Sequence, residues 1–146
     1  MIMKYNHVGI PTTANFDGEI PLPHLKVTVS DHQNNPFGIQ WQRYWDDAPY
    51  PELVKTVPHV AFEVDDLEEA IRDQKVIVAP NSPSTGVLVA MIEVNGAPVE
   101  LMQIDHLVSI ARFKPTAFRR SALSRRIPTR MEEWRNTGKA RTRFTT

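Results

Sequence analysis

The chain of 146 residues contains no cysteine, which excludes a disulfide scaffold, a thiolate zinc site and a cysteine nucleophile. It also has no run approaching the roughly 18 uninterrupted apolar residues that a bilayer-spanning helix requires, so no membrane partner is expected. The opening stretch Met1-Ile2-Met3-Lys4-Tyr5-Asn6-His7 lacks the apolar segment of a secretory signal, and a cytoplasmic protein is the default expectation. Net charge is missing too, with 17 Lys+Arg against 17 Asp+Glu. That neutrality is a cancellation. Residues 1–105 carry 6 basic and 15 acidic side chains, whereas residues 106–146 carry 11 basic ones and only Glu132 and Glu133 as acids. What is present fits one folded domain with an appendage: 41% hydrophobic and 23% charged residues are ordinary for a globular protein, and the length suffices to bury a core.

Hydrophobic periodicity divides the acidic body into two halves of similar plan. Residues 3–10 read as a strand in which His7 and Gly9 share one face. Residues 11–23 hold Pro11, Gly18, Pro21 and Pro23 and should be loop. Residues 24–30 alternate as a strand, residues 31–38 are dense in turn formers, and residues 39–45 should return as a strand with Gln40 and Gln42 on one face. A second loop, residues 46–58, contains Pro49, Pro51 and Pro58. In the second half, residues 59–64 alternate as a strand, and Asp65-Asp66 followed by Glu68 or Glu69 offers a capping box for a helix over about 67–74. Residues 75–79 read as a strand and 80–86 as turn. Residues 87–94 and 98–104 should then pair as a hairpin across Asn95-Gly96.

His7-Val8-Gly9-Ile10 opens the first half and His59-Val60-Ala61-Phe62 the second. Each half ends in a strand with a polar side chain in an apolar setting, Gln40 or Gln42 in one and Glu100 in the other. If the halves curl toward each other, strand alternation points His7, one glutamine, His59 and Glu100 into one cavity. Two imidazoles and one or two oxygen donors suit a divalent transition metal with positions left open for water or substrate, and such a metal is a Lewis acid for a carbonyl. Taken singly, His7 reads as a hydrogen-bonded strand residue and Glu100 as a solvated outer position. The repetition of both elements is what favours a joint site. Glu63 shares the face of His59 and reads as a strand-end charge, with a substitute ligand or base as the other reading. His24 and His32 read as polar surface residues.

His7-Val8-Gly9-Ile10, Pro58-His59-Val60-Ala61-Phe62-Glu63-Val64-Asp65-Asp66-Leu67 and Pro98-Val99-Glu100-Leu101-Met102-Gln103 resemble the vicinal oxygen chelate superfamily. That group includes glyoxalase I, methylmalonyl-CoA epimerase, extradiol dioxygenases, fosfomycin-resistance transferases and bleomycin-resistance proteins. The resemblance covers about residues 4–105. It implies an α+β fold of paired βαβββ modules forming an open, eight-stranded cupped sheet. Module one would span about residues 3–48 and module two about 57–105, giving a domain over 1–105 followed by a basic C-terminal extension over 106–146. It further implies His7 and His59 as metal ligands from the first strands, Glu100 from the last strand, and a fourth ligand from residues 39–42. Gln40 is the choice there because Ile39-Gln40-Trp41 parallels Val99-Glu100-Leu101, with Gln42 in reserve. A glutamine in this role is similar to the epimerase-like pattern. The chain departs from the family in one respect: residues 14–22, with Gly18 and Pro21 inside, leave no room for the first-module helix.

The function that the resemblance implies is a glyoxalase-like metalloenzyme. It would hold Ni, Zn, Co, Mn or Fe, bind vicinal oxygens of a small substrate and stabilise an enolate-type intermediate in isomerase, epimerase or lyase chemistry. Glu100 would be the catalytic proton-transfer group, with a metal-bound water as the alternative, and the protein a homodimer. The alternative is a metal-free small-molecule-binding or sequestering protein of the bleomycin-resistance type, holding its ligand among Trp41, Tyr44, Trp45 and Phe62. In the tail, Phe113, Phe118, Trp134 and Phe144 are interleaved with arginine and lysine. That composition suits nucleic acid, but clasping an acidic body, its own or a neighbour's, is the preferred reading. A short helix over 131–135 capped by Thr129 is expected there.

Overall fold

The computed structural model describes residues 1–111, so the expected nucleic-acid or clasping role of the extension and its helix over 131–135 lie outside the described residues. Eight strands form one mixed, open, curled sheet: β1 Met3–Pro11, β2 Ile20–Leu22, β3 Val27–Val29, β4 Ile39–Tyr44, β5 His59–Val64, β6 Val76–Ser84, β7 Val87–Val94 and β8 Ala97–Ile104. Three short helices accompany them, α1 Glu52–Thr56, α2 Leu67–Ile71 and α3 His106–Ala111. The spatial order is β2-β3-β4-β1-β5-β8-β7-β6. β1 lies parallel to β4 and β5 parallel to β8, while β1 and β5 meet antiparallel at the centre. The two halves are therefore arranged alike about the β1–β5 seam, as the duplicated sequence plan requires. Among the described residues no helix is long and apolar enough to cross a membrane.

The second half follows local rules closely. β5 occupies residues 59–64 as its alternation demands, and Asp66 Oδ1 caps α2 by accepting from the Glu69 backbone N–H at 3.1 Å. Gln103 Oε1 accepts from the Leu67 N–H at 2.9 Å, tying the helix start to β8. α2 then buries Leu67 and Ala70 against Val64, Ala90, Ile92 and Leu101, which closes the convex face of module two. The Asn95-Gly96 turn has φ of 49° and 79° at its two residues, the left-handed pair that a two-residue hairpin needs.

In module one no helix stands between β1 and β2, as expected from residues 14–22. The connecting loop is held instead by Arg43 on β4, whose Nη2 donates to Glu19 Oε2 at 2.9 Å and whose Nη1 donates to the Ala14 carbonyl.

Elsewhere the sequence expectations need correction. β2 lies within residues expected to be loop, and β6 runs through Pro80 and Pro83 where a turn was expected. β2 and β6 are the two edges of the sheet. An edge strand leaves one row of backbone groups unpaired, so a proline there costs no ladder bond. The strand expected over 24–30 shrinks to Val27–Val29, because residues 23–25 form a 3₁₀ turn and Lys26 takes a left-handed φ of 52°. α1 lies in the expected loop 46–58, immediately after Pro51, whose fixed φ suits a helix start. α2 ends at Ile71, three residues earlier than expected.

Candidate metal centre

The four central strands, β4, β1, β5 and β8, each supply one candidate side chain: Gln40, His7, His59 and Glu100. Register explains how they meet. Gln40 lies beside Gly9, which lies opposite His59; one pleat away, His7 lies opposite Ala61, which lies beside Glu100. Each row is large, small, large. The small residue of one row stands next to the histidine of the other along its own strand, so the two imidazoles fit diagonally across the seam. Gly9 is indispensable to this packing: a Cβ built there would overlap the Cε1, Nε2 and Nδ1 atoms of the His59 ring. Ala61, fully buried, holds the equivalent position in module two.

His7 and His59 are buried, and their rings meet edge to face at 5.8 Å. Glu100 Oε2 lies 2.8 Å from His59 Nε2 and 3.7 Å from His7 Nε2. One candidate ligand atom from each of the three lies within 4.8 Å of the others, a spacing that can hold a metal ion. The 2.8 Å contact is out of line with a ring N–H bond. His7 Nε2 and both nitrogens of His59 therefore lack hydrogen-bond partners, although all three are buried. Buried polar atoms are nearly always paired, and leaving one unpaired costs about 1–3 kcal/mol. A neutral imidazole has one lone-pair nitrogen and one N–H, so His7 and His59 can each turn one lone pair toward Glu100, a set that fits a cation better than it fits a closed polar core.

Gln40 and Gln42 both line the same cavity. Gln42 is held at both ends of its amide: Tyr44 Oη donates to its Oε1 at 2.9 Å, and its Nε2 donates to Gln40 Oε1 at 2.9 Å. Burial pushes the Tyr44 phenol well above its ordinary value, with the Glu100 charge adding to the effect, so it stays a donor. The tyrosine orients Gln42, and Gln42 orients Gln40.

The cavity measures about 130 Å³, and every strand of the sheet contributes to its wall. Away from the polar cluster the wall is apolar, with Leu25, Val27, Val89 and Met91. The volume is below the 300–1,000 Å³ of sites for drug-sized ligands, and a second opening of about 460 Å³ adjoins it across Val29, His32, Gln40 and Met102. His32 also lines it, stacked on His7 with ring centroids 4.6 Å apart, which corrects its reading as a surface residue. The 3₁₀ turn over His32–Asn34, capped by Asp31, brings it there; the turn signal was visible, its direction was not. His24 is exposed, as expected. Glu63 stands apart from the cluster and pairs with His106 Nε2 at 2.5 Å, at the first residue of α3. The aromatic set Trp41, Tyr44, Trp45 and Phe62 does not line this cavity together; Tyr44 and Trp45 share a separate surface cleft. Tyr44 lines the cavity with Tyr50, whereas Trp41 and Phe62 alternate onto the opposite face.

Burial depresses His7 to a pKa of about 4, against a smaller raising effect of Glu100 and with His32 and His59 depressing it further. Burial pushes Glu100 up, but its contact with His59 and the neighbouring imidazoles outweigh this and hold it below its ordinary range. Both shifts act in one direction on stability. Below pH 6.5 an unfolded chain gains a proton on His7 that the folded chain refuses until about pH 4. Glu100 likewise contributes stability that is lost as acid protonates it. Metal-free protein is therefore expected to lose about 2 kcal/mol of unfolding free energy between pH 7 and pH 5. Urea titrations at the two pH values check this, and His7→Gln should remove most of the difference.

No family model matches the sequence, and no curated protein matches it. Among solved structures, the fold is similar to the crystal structure of a hypothetical protein from Bacillus halodurans, with a TM-score of 0.53 and 17% identity over 70% of this chain and 95% of that one. At that identity the likeness concerns the fold.

Proposed function

We propose that the concave cavity is a divalent-metal centre of a glyoxalase-like enzyme acting on a small molecule with adjacent oxygen atoms. The observation that carries this reading is the pair of buried Nε2 atoms of His7 and His59, without hydrogen-bond partners, gathered at one buried carboxylate. His7, His59 and Glu100 would hold the metal, with Gln40 as the fourth, neutral ligand. Gln42 is the poorer candidate because Tyr44 and Gln40 already engage both ends of its amide.

When bound, a divalent cation supplies Lewis acidity to a carbonyl or hydroxyl oxygen at the polar end of the cavity. The chain's own groups do the rest. Depressed basicity keeps His7 neutral near pH 7, with its lone pair available for coordination. Glu100, an ionised carboxylate set between two buried imidazoles, can take a proton from carbon beside the substrate carbonyl and return it, the step common to isomerase, epimerase and lyase chemistry. The apolar wall accepts a short hydrocarbon portion and excludes water from that step.

Protein purified without added metal is expected to contain stoichiometric Ni, Zn, Co, Mn or Fe by elemental analysis, and His59→Ala to lose it. Full occupancy surviving both His7→Ala and His59→Ala would sink the site.

A further inference from the structure

We propose that Asn6 is a positioning residue of this centre, acting through His7 to fix which ring nitrogen is free; the inference rests on the metal-centre reading. Along the seam, Met3, Lys4 and Tyr5 pair with Val64, Glu63 and Phe62, and His7, Val8 and Gly9 pair with Ala61, Val60 and His59. The register shifts by one residue between Tyr5 and His7, and Asn6 is the extra residue of a β-bulge. Extending the pairing of residues 3–5 would set His7 opposite Val60, on the face away from His59. The bulge turns it into the cavity, because a one-residue slip moves every later side chain to the other face.

The same bulge gives Asn6 a second task. Neighbouring side chains in a regular strand point to opposite faces, so residue 6 could not ordinarily reach the ring of residue 7. Here Asn6 Oδ1 lies 2.8 Å from His7 Nδ1. An amide oxygen accepts only, so Nδ1 carries the proton and the lone pair resides on Nε2, the nitrogen that faces Glu100 without a hydrogen-bond partner. Neutral imidazole has two tautomers, and only this one presents a ligand nitrogen to the cavity. A partner on the outer nitrogen is the usual means of orienting a metal-binding histidine. His59 has no such partner on either nitrogen among the described residues. Asn6 thus distinguishes two histidines that the duplicated fold otherwise treats alike.

Two readouts test this on the full chain with Asn6→Leu, which removes the acceptor at similar size, and Asn6→Asp, which keeps it. In metal-free, ¹⁵N-labelled protein near neutral pH, long-range ¹H–¹⁵N correlation should show His7 protonated at Nδ1 in the parent and in Asn6→Asp. In Asn6→Leu the proton should move to Nε2 or exchange between the two. Cobalt(II) affinity should fall about 10–100-fold in Asn6→Leu and stay at least at the parent value in Asn6→Asp. An Nδ1-protonated His7 in Asn6→Leu, or an affinity loss as large in Asn6→Asp as in Asn6→Leu, overturns the proposal. A parent protein that takes up no cobalt counts against the metal centre, while the tautomer comparison still decides the role of Asn6.

Discussion

Gly9→Ala is expected to destabilise the protein by about 3 kcal/mol, the upper range for forcing a methyl group into a packed interior, and to abolish metal uptake. The added Cβ would occupy space now filled by the His59 ring. That ring is almost fully buried and its Nε2 lies 2.8 Å from Glu100 Oε2, so displacing it disturbs the contact with the carboxylate. A drop of roughly 10 °C in melting temperature follows for a domain of this size. The cause can be isolated with a second substitution. In Gly9→Ala/His59→Ala the ring is gone and the methyl group has room, so the double variant should be no less stable than His59→Ala alone. Such strong non-additivity is expected only for residues in direct contact. If the two losses simply add, Gly9 matters for its backbone freedom and not for the space above it.

The steric role of Gly9 was half visible in the sequence. His7-Val8-Gly9 and His59-Val60-Ala61 repeat a histidine followed two residues later by a small side chain. Alternation placed each pair on one face of a strand. It could not show that the small residue of one strand lies opposite the histidine of the other, because that depends on the antiparallel register of β1 on β5. The gathering of His7, His59 and Glu100 was expected from the duplication and is what the structure contains. Elements with strong local signals, such as β5, the Asp66 cap and the Asn95-Gly96 turn, lie where patterning puts them.

The features that were not legible share a different physical origin. Proline and glycine content argued for loops at residues 11–23 and 80–86, but being at a sheet edge suspends the usual penalty for proline in a strand. Which strands are edges is a property of topology. The bulge at Asn6 is similarly hidden: asparagine is uncommon in strands, but that it is the extra residue follows only from the pairing with Phe62 and Ala61. His32 was unreadable for the same reason: a turn former can aim its side chain either way, and only the packed turn brings this ring onto His7.

The alternation of β8 yields the second large effect, because two consecutive residues should fail in opposite ways. Leu101 is 1% exposed and packs with Ala90 and Ile92 beneath α2 on the convex face. Leu101→Ala should cost about 2–5 kcal/mol through lost burial and the cavity left behind. At temperatures where the variant stays folded, its metal affinity should remain within a few-fold of the parent. Glu100 points the other way, into the polar cluster. Glu100→Gln preserves shape and removes the charge. At neutral pH the isosteric amide should change stability by no more than about 1 kcal/mol. Metal uptake should be lost, since a carboxylate supplies the only negative charge among the three gathered ligands. Isothermal titration with cobalt(II), paired with urea unfolding of both variants, reads the two effects separately. A folded Leu101→Ala protein that binds metal as poorly as Glu100→Gln would mean that the helix-covered face and the site face are mechanically coupled through the strand. Independence of the two faces is what a curled sheet with a helix on one side and a cavity on the other should deliver, since each face then has its own packing partners.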